Sequence, residues 1–502
     1  MGSYVFTDPK GELYDRTAGY LKEKGYKIKV LNLVRPAYSD GYNPLMHINS
    51  EVDVDIIANT IVKKQSDVKS QDPYWDDMAE MLLKSLIYYL MATRPEEEQN
   101  LASCAELVRA ANSGHGDNLL TELMSALPYD HPARMNYKSI EIAPEKTYGS
   151  ILSSLQSKLG KFDSKDIAEL TSTDTMDFPA IGKEKTAVYV ISSDTHSAYD
   201  FLLTIFFSQL IQQLYDFADL NGGKLSMPTY FILDEFANIG TIPDFDKKIS
   251  TSRSRNISFS VILQNLKQLE AVYKDTHETI MGNCDTHVFL GSNSQETVEY
   301  FSKALGEKTI EHDQRSINRD NWDWKQGKNV SEQVMARALM TPDELRRLDN
   351  DICIIYEKGI KPIKAPKYYY FKYPMSNTAK GFEISHNDIG DIDRGPWRKF
   401  NPYNPYKEDD ADTVKENLNV ESLDEIFDEQ PKKQERAKVG ASINNPQIEK
   451  NAVKKVDTEN TNNAPKEDTF EPFSYDIQKE LEAKFDELFG PATNNNEDEE
   501  TV

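Results

Sequence analysis

Short apolar runs and three- or four-residue periodicity divide the first 375 residues of this chain into strand and helix territory. Residues 4–45 read as strand, helix and strand, with Thr17–Lys24 the helix between two β-branched runs. From about 52 to 175 apolar positions recur at helical spacing. The segments are Val52–Lys64, Met78–Arg94, Ala102–Asn112, Asp117–Ala126 and Tyr148–Phe162, separated by Pro, Gly and Asp breaks. Val188–Ile191 resumes strand, Ala198–Asp219 is a long helix, and strands recur at 229–234, 258–263 and 286–290. Strands alternating with helical crossovers predict a parallel sheet covered on both faces, with an all-α insertion between its strands. Ile352–Tyr356 and Lys364–Tyr373, with Gly359 and Pro362 at the turn, read as a closing hairpin.

Beyond Tyr373 the pattern changes. Residues 376–502 hold 30 Asp and Glu against 16 Lys and Arg, with much Asn and little apolar surface to offset ordering entropy. The sequence predicts a mostly disordered acidic tail. Two islands interrupt it, Leu418–Phe427 and Phe473–Phe489. In the second, Ile477, Leu481, Phe485 and Leu488 fall at helical spacing, the pattern of a transient helix or of a docking peptide that folds in a partner's groove.

Composition narrows the class. A length of 502 residues suggests two to four domains. No run approaches the roughly 18 apolar residues of a membrane span; Met81–Met91 and Phe201–Leu214 read as buried helices. Cys104, Cys284 and Cys353 follow no metal or disulfide spacing, which fits a reducing compartment. The eight histidines form no ligand pair. A net charge of −25 argues against a simple nucleic-acid-coating protein. Lys247, Lys248, Arg253 and Arg255 could nevertheless give a modestly acidic body a basic pore lining.

The chemistry-bearing segment is 228–240, Pro-Thr-Tyr-Phe-Ile-Leu-Asp-Glu-Phe-Ala-Asn-Ile-Gly. An apolar run of this kind suits a strand buried on both faces, and carboxylates at its end stand where such sheets bind ligands. The pattern is that of a Walker B strand. Asp234 would hold Mg²⁺ through water, and Glu235 would polarise an attacking water. Alone, the pair is as well explained as the cap of a buried strand. The phosphate-cradling partner G-x-x-x-x-G-K-[ST] is absent from the sequence: Gly160-Lys161, Gly182-Lys183, Gly223-Lys224 and Gly327-Lys328 all fail its spacing. Gln264, ending the next strand, is a candidate γ-phosphate sensor, and Arg253 a candidate finger reaching a neighbouring subunit. Taken singly, Gln264 is better read as a strand terminator and Arg253, like Arg255, as a solvated loop charge.

Together with further motifs, these residues resemble the TraG-type coupling proteins of type IV secretion. Val5-Phe6-Thr7-Asp8-Pro9-Lys10-Gly11-Glu12-Leu13-Tyr14 is similar to the strand and turn after that family's P-loop helix. Val30–Leu33 with Tyr42-Asn43-Pro44-Leu45 matches the next strand and its exit. Asp72-Pro73-Tyr74-Trp75 with Ala79–Leu90 looks like the entry to an all-α domain, and Leu305–Lys308 with Leu339–Leu345 resembles the C-terminal part.

The resemblance implies an α/β fold, a RecA-like P-loop NTPase-type parallel sheet with an inserted all-α domain and the acidic tail. Its expected domains are 1–50 and 179–375 for the RecA-like part, 51–178 for the helical insertion and 376–502 for the tail. It implies ATP and Mg²⁺ as cofactors and a hexameric ring at the cytoplasmic face of the bacterial membrane. DNA, relaxase, relaxosome accessory proteins and secretion-channel components would be its partners. Family members carry transmembrane helices and then a strand, P-loop and helix, which would lie upstream of Tyr4. Two readings follow. In one, the chain is the larger part of a DNA-pumping ATPase, with Asp234, Glu235, Gln264 and Arg253 in its site. In the other, it is a receptor without ATPase activity that gathers relaxosome proteins through its helices and tail. Whether Asp8, Lys10 and Glu12 touch nucleotide or only shape a turn stays open at this stage.

Overall fold

A computed structural model of the chain describes residues 2–63, 73–112, 118–193, 198–317, 328–387, 389–390 and 392–402. The chain opens with strand β1 (Ser3–Thr7), helix α1 (Glu12–Glu23) and strand β2 (Lys27–Asn32). A helical layer follows: α2 (Glu51–Val62), α3 (Tyr74–Thr93), α4 (Leu101–Asn112), α5 (Leu119–Ser125), α6 (Pro132–Glu141), α7 (Glu145–Leu159), α8 (Lys165–Ser172) and α9 (Phe178–Ile181). Strand β3 (Thr186–Ile191), helix α10 (Asp200–Leu220), strand β4 (Thr229–Leu233), helix α11 (Phe245–Thr251) and strand β5 (Ile257–Val261) complete the main sheet. Its order is β2-β3-β1-β4-β5, and every pairing in it is parallel.

Burial explains the layers. All six residues of β3 are buried, as a strand covered on both faces requires. On one face, Tyr14 and Ala18 of α1 pack with Tyr26, Val30 and Tyr189 in a small aromatic-rich core. On the other face lies α10, which is apolar around most of its circumference and therefore sits between two layers rather than on a surface. Its neighbours in one continuous core include Val188 and Phe231 of the sheet and Ile57, Leu86 and Leu155 of the helical layer. The expected insertion is helical, but its core is continuous with that of the sheet. A buried polar link crosses the seam: Tyr42 donates to Gln209 Oε1 at 2.6 Å, and Gln209 Nε2 donates to the Pro44 carbonyl at 2.9 Å.

Helices α12 (Leu266–Tyr273) and α13 (His277–Gly282) lead to β6 (Thr286–Phe289), and α14 (Gln295–Leu305) to the hairpin β7 (Glu307–Ile317) and β8 (Lys328–Ala338). Helix α15 (Pro342–Arg346), strands β9 (Ile352–Glu357) and β10 (Ile363–Pro366) and helix α16 (Pro374–Lys380) follow. The closing hairpin predicted from Gly359 and Pro362 is β9–β10, with β10 ending at Pro366 instead of Tyr373. Strand β6 departs from expectation. It pairs antiparallel with β9 in a separate sheet, β10-β9-β6, instead of extending the parallel one.

The tail boundary also differs. Residues 384–402, expected to lie outside the core, pack against it. Ile384 N donates to the Asp15 carbonyl, Arg394 donates to the carbonyls of Ser39, Pro36 and Ala37, and Arg398 pairs with Glu98 at 2.7 Å. Phe400, 3% exposed, joins the main core beside Tyr89, with Arg94 over its ring at 4.2 Å. Contacts within the chain divide it after Asn417. The second unit, with Ile477, Leu481, Phe485 and Leu488, lies outside the described residues. Among the described residues no helix is long and apolar enough to cross a membrane.

Candidate functional site

Parallel strands share one carboxyl edge, so the ends of β1, β4 and β5 lie side by side. Thr7, the last residue of β1, donates from Oγ1 to the Asp234 carbonyl at 2.6 Å and ties the turn after β4 to its neighbour. Asp234 Oδ1 accepts the Glu235 N–H at 3.1 Å. At Glu235 the chain reverses with φ 49° and ψ 47°, the left-handed region, at a cost of roughly 1–2 kcal/mol for a non-glycine residue. The reversal brings the Glu235 carboxylate to the end of β5. There Gln264 donates from Nε2 to Glu235 Oε1 at 2.8 Å, while its own N–H donates to Gln268 Oε1 at 3.2 Å. Asp234, Glu235 and Gln264 are therefore gathered at one spot, as the strand pattern predicts.

Burial pushes the Asp234 carboxyl above its ordinary value; the Glu235 N–H bond opposes this and the Glu235 charge reinforces it. A partly desolvated carboxylate beside a second one gains from a nearby cation. The donors are hard oxygens, which suit Mg²⁺, an ion that keeps several waters and takes one or two carboxylates together with phosphate oxygens. No cluster of three or more His, Cys, Asp or Glu occurs among the described residues, so a metal at Asp234 would be held largely by water and phosphate.

The Gly-Lys pairs among the described residues do not supply the phosphate end. Gly182-Lys183 and Gly223-Lys224 precede β3 and β4, at the edge of the sheet opposite Asp234, and Gly160-Lys161 ends α7.

The basic candidates separate. Arg255 makes a two-pronged pair with Asp219, 2.9 Å on each arm, with its guanidinium over the Tyr215 ring. Lys247 is held by Asp244 at 2.6 Å, and burial lowers the proton affinity of Lys248. Only Arg253 extends freely, its side chain 93% exposed and 3.9 Å from Asp285. It precedes β5 whereas Gln264 follows it, so a strand length of roughly 16 Å separates it from the carboxylates of its own chain.

Asp8 is engaged within the turn before α1. It is buried, and its Oδ2 accepts the Tyr14 N–H at 2.8 Å, holding the first turn of α1. Gly11 turns the chain at φ 73°, and a Cβ there would meet His386 Nδ1 at 2.5 Å. Glu12 pairs with Arg16 at 3.3 Å, and Lys10 is exposed. Sequence reasoning missed Thr7, whose hydrogen bond arises from strand order, and Gln268, whose bond to Gln264 is a local one across the start of the helix after β5.

Residues 1–420 match the family described as type IV secretory system conjugative DNA transfer. The chain belongs to that family. Among curated relatives, a conjugal transfer protein TraG from Escherichia coli is 25% identical over 412 residues, covering 74% of this chain and 63% of the relative. A protein VirD4 from Rhizobium radiobacter is 24% identical over 384 residues, covering 74% and 53%. The chain thus spans less than two thirds of these relatives' lengths. Among solved structures, plasmid coupling protein TrwB in complex with the non-hydrolysable ATP analogue ADPNP aligns with a TM-score of 0.50 at 14% identity, covering 74% of this chain and 87% of that one. A trigonal form of TrwB in complex with sulphate gives 0.50 at 14% identity, covering 73% and 86%. These likenesses show the fold of this family member: a central parallel sheet of the RecA-like type with a helical domain.

Proposed function

We propose that the chain acts as a coupling protein in conjugative type IV secretion, passing DNA and its attached relaxase to the channel. In this reading, Asp234, Glu235 and Gln264 form the water-activating half of the site where ATP drives transfer. The carrying observation is the Gln264–Glu235 hydrogen bond beside the half-buried Asp234, at the carboxyl edge of a parallel sheet. Asp234 would hold Mg²⁺ through water. The ion would offset charge on the phosphates and the leaving group. Glu235 would take a proton from the attacking water, with Gln264 orienting the carboxylate.

The phosphate-cradling half fits at a defined place. Strand β5 is the outer strand of the parallel sheet and β6 the outer strand of the second sheet. Arg253, just before β5, and Asp285, just before β6, come within 3.9 Å, so the starts of the two strands lie close together. Near these edges the apolar side chains of Tyr230, Ile262, Val288 and Leu290 are exposed. A strand added parallel to β5 would end beside Gln264, which puts the loop that follows it next to Glu235. These 502 residues contain no G-x-x-x-x-G-K-[ST] segment to form such a strand and loop. The relatives' names and the ADPNP complex support this reading, as does the match across 1–420. A homo-hexamer at the cytoplasmic face of the membrane belongs to the same proposal.

The test is direct. In a protein in which a G-x-x-x-x-G-K-[ST] strand and helix accompany this chain, Glu235→Gln should abolish DNA-stimulated hydrolysis and keep nucleotide binding. Unchanged turnover would refute the assignment. If no such segment lies in frame upstream and none restores hydrolysis in trans, the receptor reading replaces it, since none of the Gly-Lys pairs among the described residues stands at the carboxyl edge beside Asp234.

A further inference from the structure

The most basic stretch of this acidic chain lies away from Asp234. From 358 to 380 the sequence has no Asp or Glu and carries lysines at 358, 361, 364, 367, 372 and 380. It begins at the turn between β9 and β10, where Gly359 adopts φ 90°, and runs along β10, the outer strand of its sheet. Lys358, Lys361 and Lys364 are exposed, and none takes part in an ion pair among the described residues.

Directly after β10 comes an aromatic segment. Tyr368 and Tyr373 stack at 4.1 Å between centroids, nearly parallel at 18°. The Tyr369 hydroxyl donates to Asp351 at 2.7 Å with Lys372 above its ring, and Tyr370 is held at its hydroxyl by Arg16 of α1. The hydroxyl bonds of Tyr369 and Tyr370 anchor the segment, while ring surface stays in solvent beside them: Tyr368 is 68%, Tyr370 50% and Phe371 56% exposed. Uncompensated ammonium groups beside fixed, open ring faces match one class of ligand. A single strand offers phosphates for the lysines and unpaired bases for the rings. A duplex hides its base faces, and an acidic peptide has none to stack.

We propose that the β9–β10 hairpin and residues 367–373 form a binding track for single-stranded DNA. The proposal rests on the DNA-handling reading above but not on its ATP site. Its readout is the binding of a fluorescent oligo-dT of about 20 nucleotides to the full chain, without nucleotide, followed by anisotropy across a salt series. Tyr368→Ala should weaken binding by roughly fivefold to a hundredfold while Tyr368→Phe keeps it, the mark of stacking rather than folding. Lys361→Gln with Lys364→Gln should lower the slope of log affinity against log salt by about 1.4, two phosphates' worth. Both positions are exposed, so thermal melting should be unchanged. Affinity unaltered in both variants overturns the track. Binding to phosphatidylserine vesicles that the same variants abolish, with oligo-dT left unbound, assigns the patch to a lipid surface and also overturns it. Failure of hydrolysis in every complemented form leaves this readout intact, so the two proposals fail separately.

Discussion

Gln264 and Glu235 sit 29 positions apart in sequence and 2.8 Å apart in space, joined where two neighbouring parallel strands end. The bond engages Oε1 of Glu235, whose backbone takes the left-handed turn after β4. It positions a base, but a base is only part of phosphoryl transfer, where most stabilisation comes from groups that hold the phosphates. Purified 1–502 should therefore show no appreciable ATP turnover with or without DNA, and Glu235→Gln should make no difference. DNA-stimulated phosphate release that this substitution abolishes would show that the chain holds phosphate by residues not identified above.

Arg253 is the exposed arginine on the wrong side of its own strand, and that placement makes a specific prediction. Its contact with Asp285 is solvent-exposed and adds little to stability, so Arg253→Ala should leave the melting temperature unchanged. In a nucleotide-competent protein the same variant should keep nucleotide affinity and lose about 10³-fold or more in turnover, because a finger meets charge that develops only in the transition state. Mixing it with Glu235→Gln should restore some hydrolysis, since each supplies what the other lacks across an interface. No restoration in mixed rings would remove the trans assignment.

How much of this was legible depends on what kind of signal each element carries. The run from Thr229 to Leu233 is apolar, so β4 and its terminal carboxylates were readable directly, as was Gln264 after β5; the burial expected on both faces is not met, because Tyr230 is exposed and Ile232 half-buried while Thr229, Phe231 and Leu233 are buried. The hairpin β7–β8 had no such signal: its strands are rich in charged and polar residues, and the periodicity of a buried strand is missing. Strand β6 was placed as a strand, but its partner is β9, more than 60 residues later, and nothing in four residues encodes antiparallel pairing. Arg253 and Arg255 looked alike in sequence; Asp219, on a different helix, separates them. Residues 384–402 read as tail because their anchoring runs through backbone carbonyls, a few ion pairs with distant residues and the ring of Phe400, which composition does not register.

Asp8 carries a pH dependence whose sign is fixed by burial. Desolvation raises its carboxyl above the ordinary 3.8, opposed by the N–H groups of Tyr14 and Leu13. The folded state then binds the proton more tightly than the unfolded chain does. Its contribution is most favourable below about pH 3.8 and declines as pH rises through the raised value. Asp8→Asn keeps an acceptor for Tyr14 and removes the titration. The difference in melting temperature between wild type and variant should thus favour the variant increasingly from pH 4 upward. A difference that is flat with pH would show that the α1 amides cancel desolvation, and one of opposite slope that they outweigh it.

The packing of residues 384–402 sets where the chain can be cut. Ending it at residue 375 removes Phe400 from the core, Arg394 from three carbonyls and Arg398 from Glu98. Ending it at 402 keeps all of these. The shorter chain should melt well below full length, and Phe400→Ala alone should cost about 3–5 kcal/mol, measured by denaturant unfolding. The 402 form should melt as the full chain does, because the removed segment is acidic and poor in apolar residues. That form also isolates the role of the tail. If Ile477, Leu481, Phe485 and Leu488 form the apolar face of a docking helix, the full chain should capture relaxase from a mating-competent extract and 1–402 should not. Capture should weaken with added salt, as acidic flanks on a basic partner require, and with Phe485→Ala. Equal capture by the full chain and by 1–402 would move recruitment to the helical layer, since that comparison, unlike one made at 375, leaves the core whole.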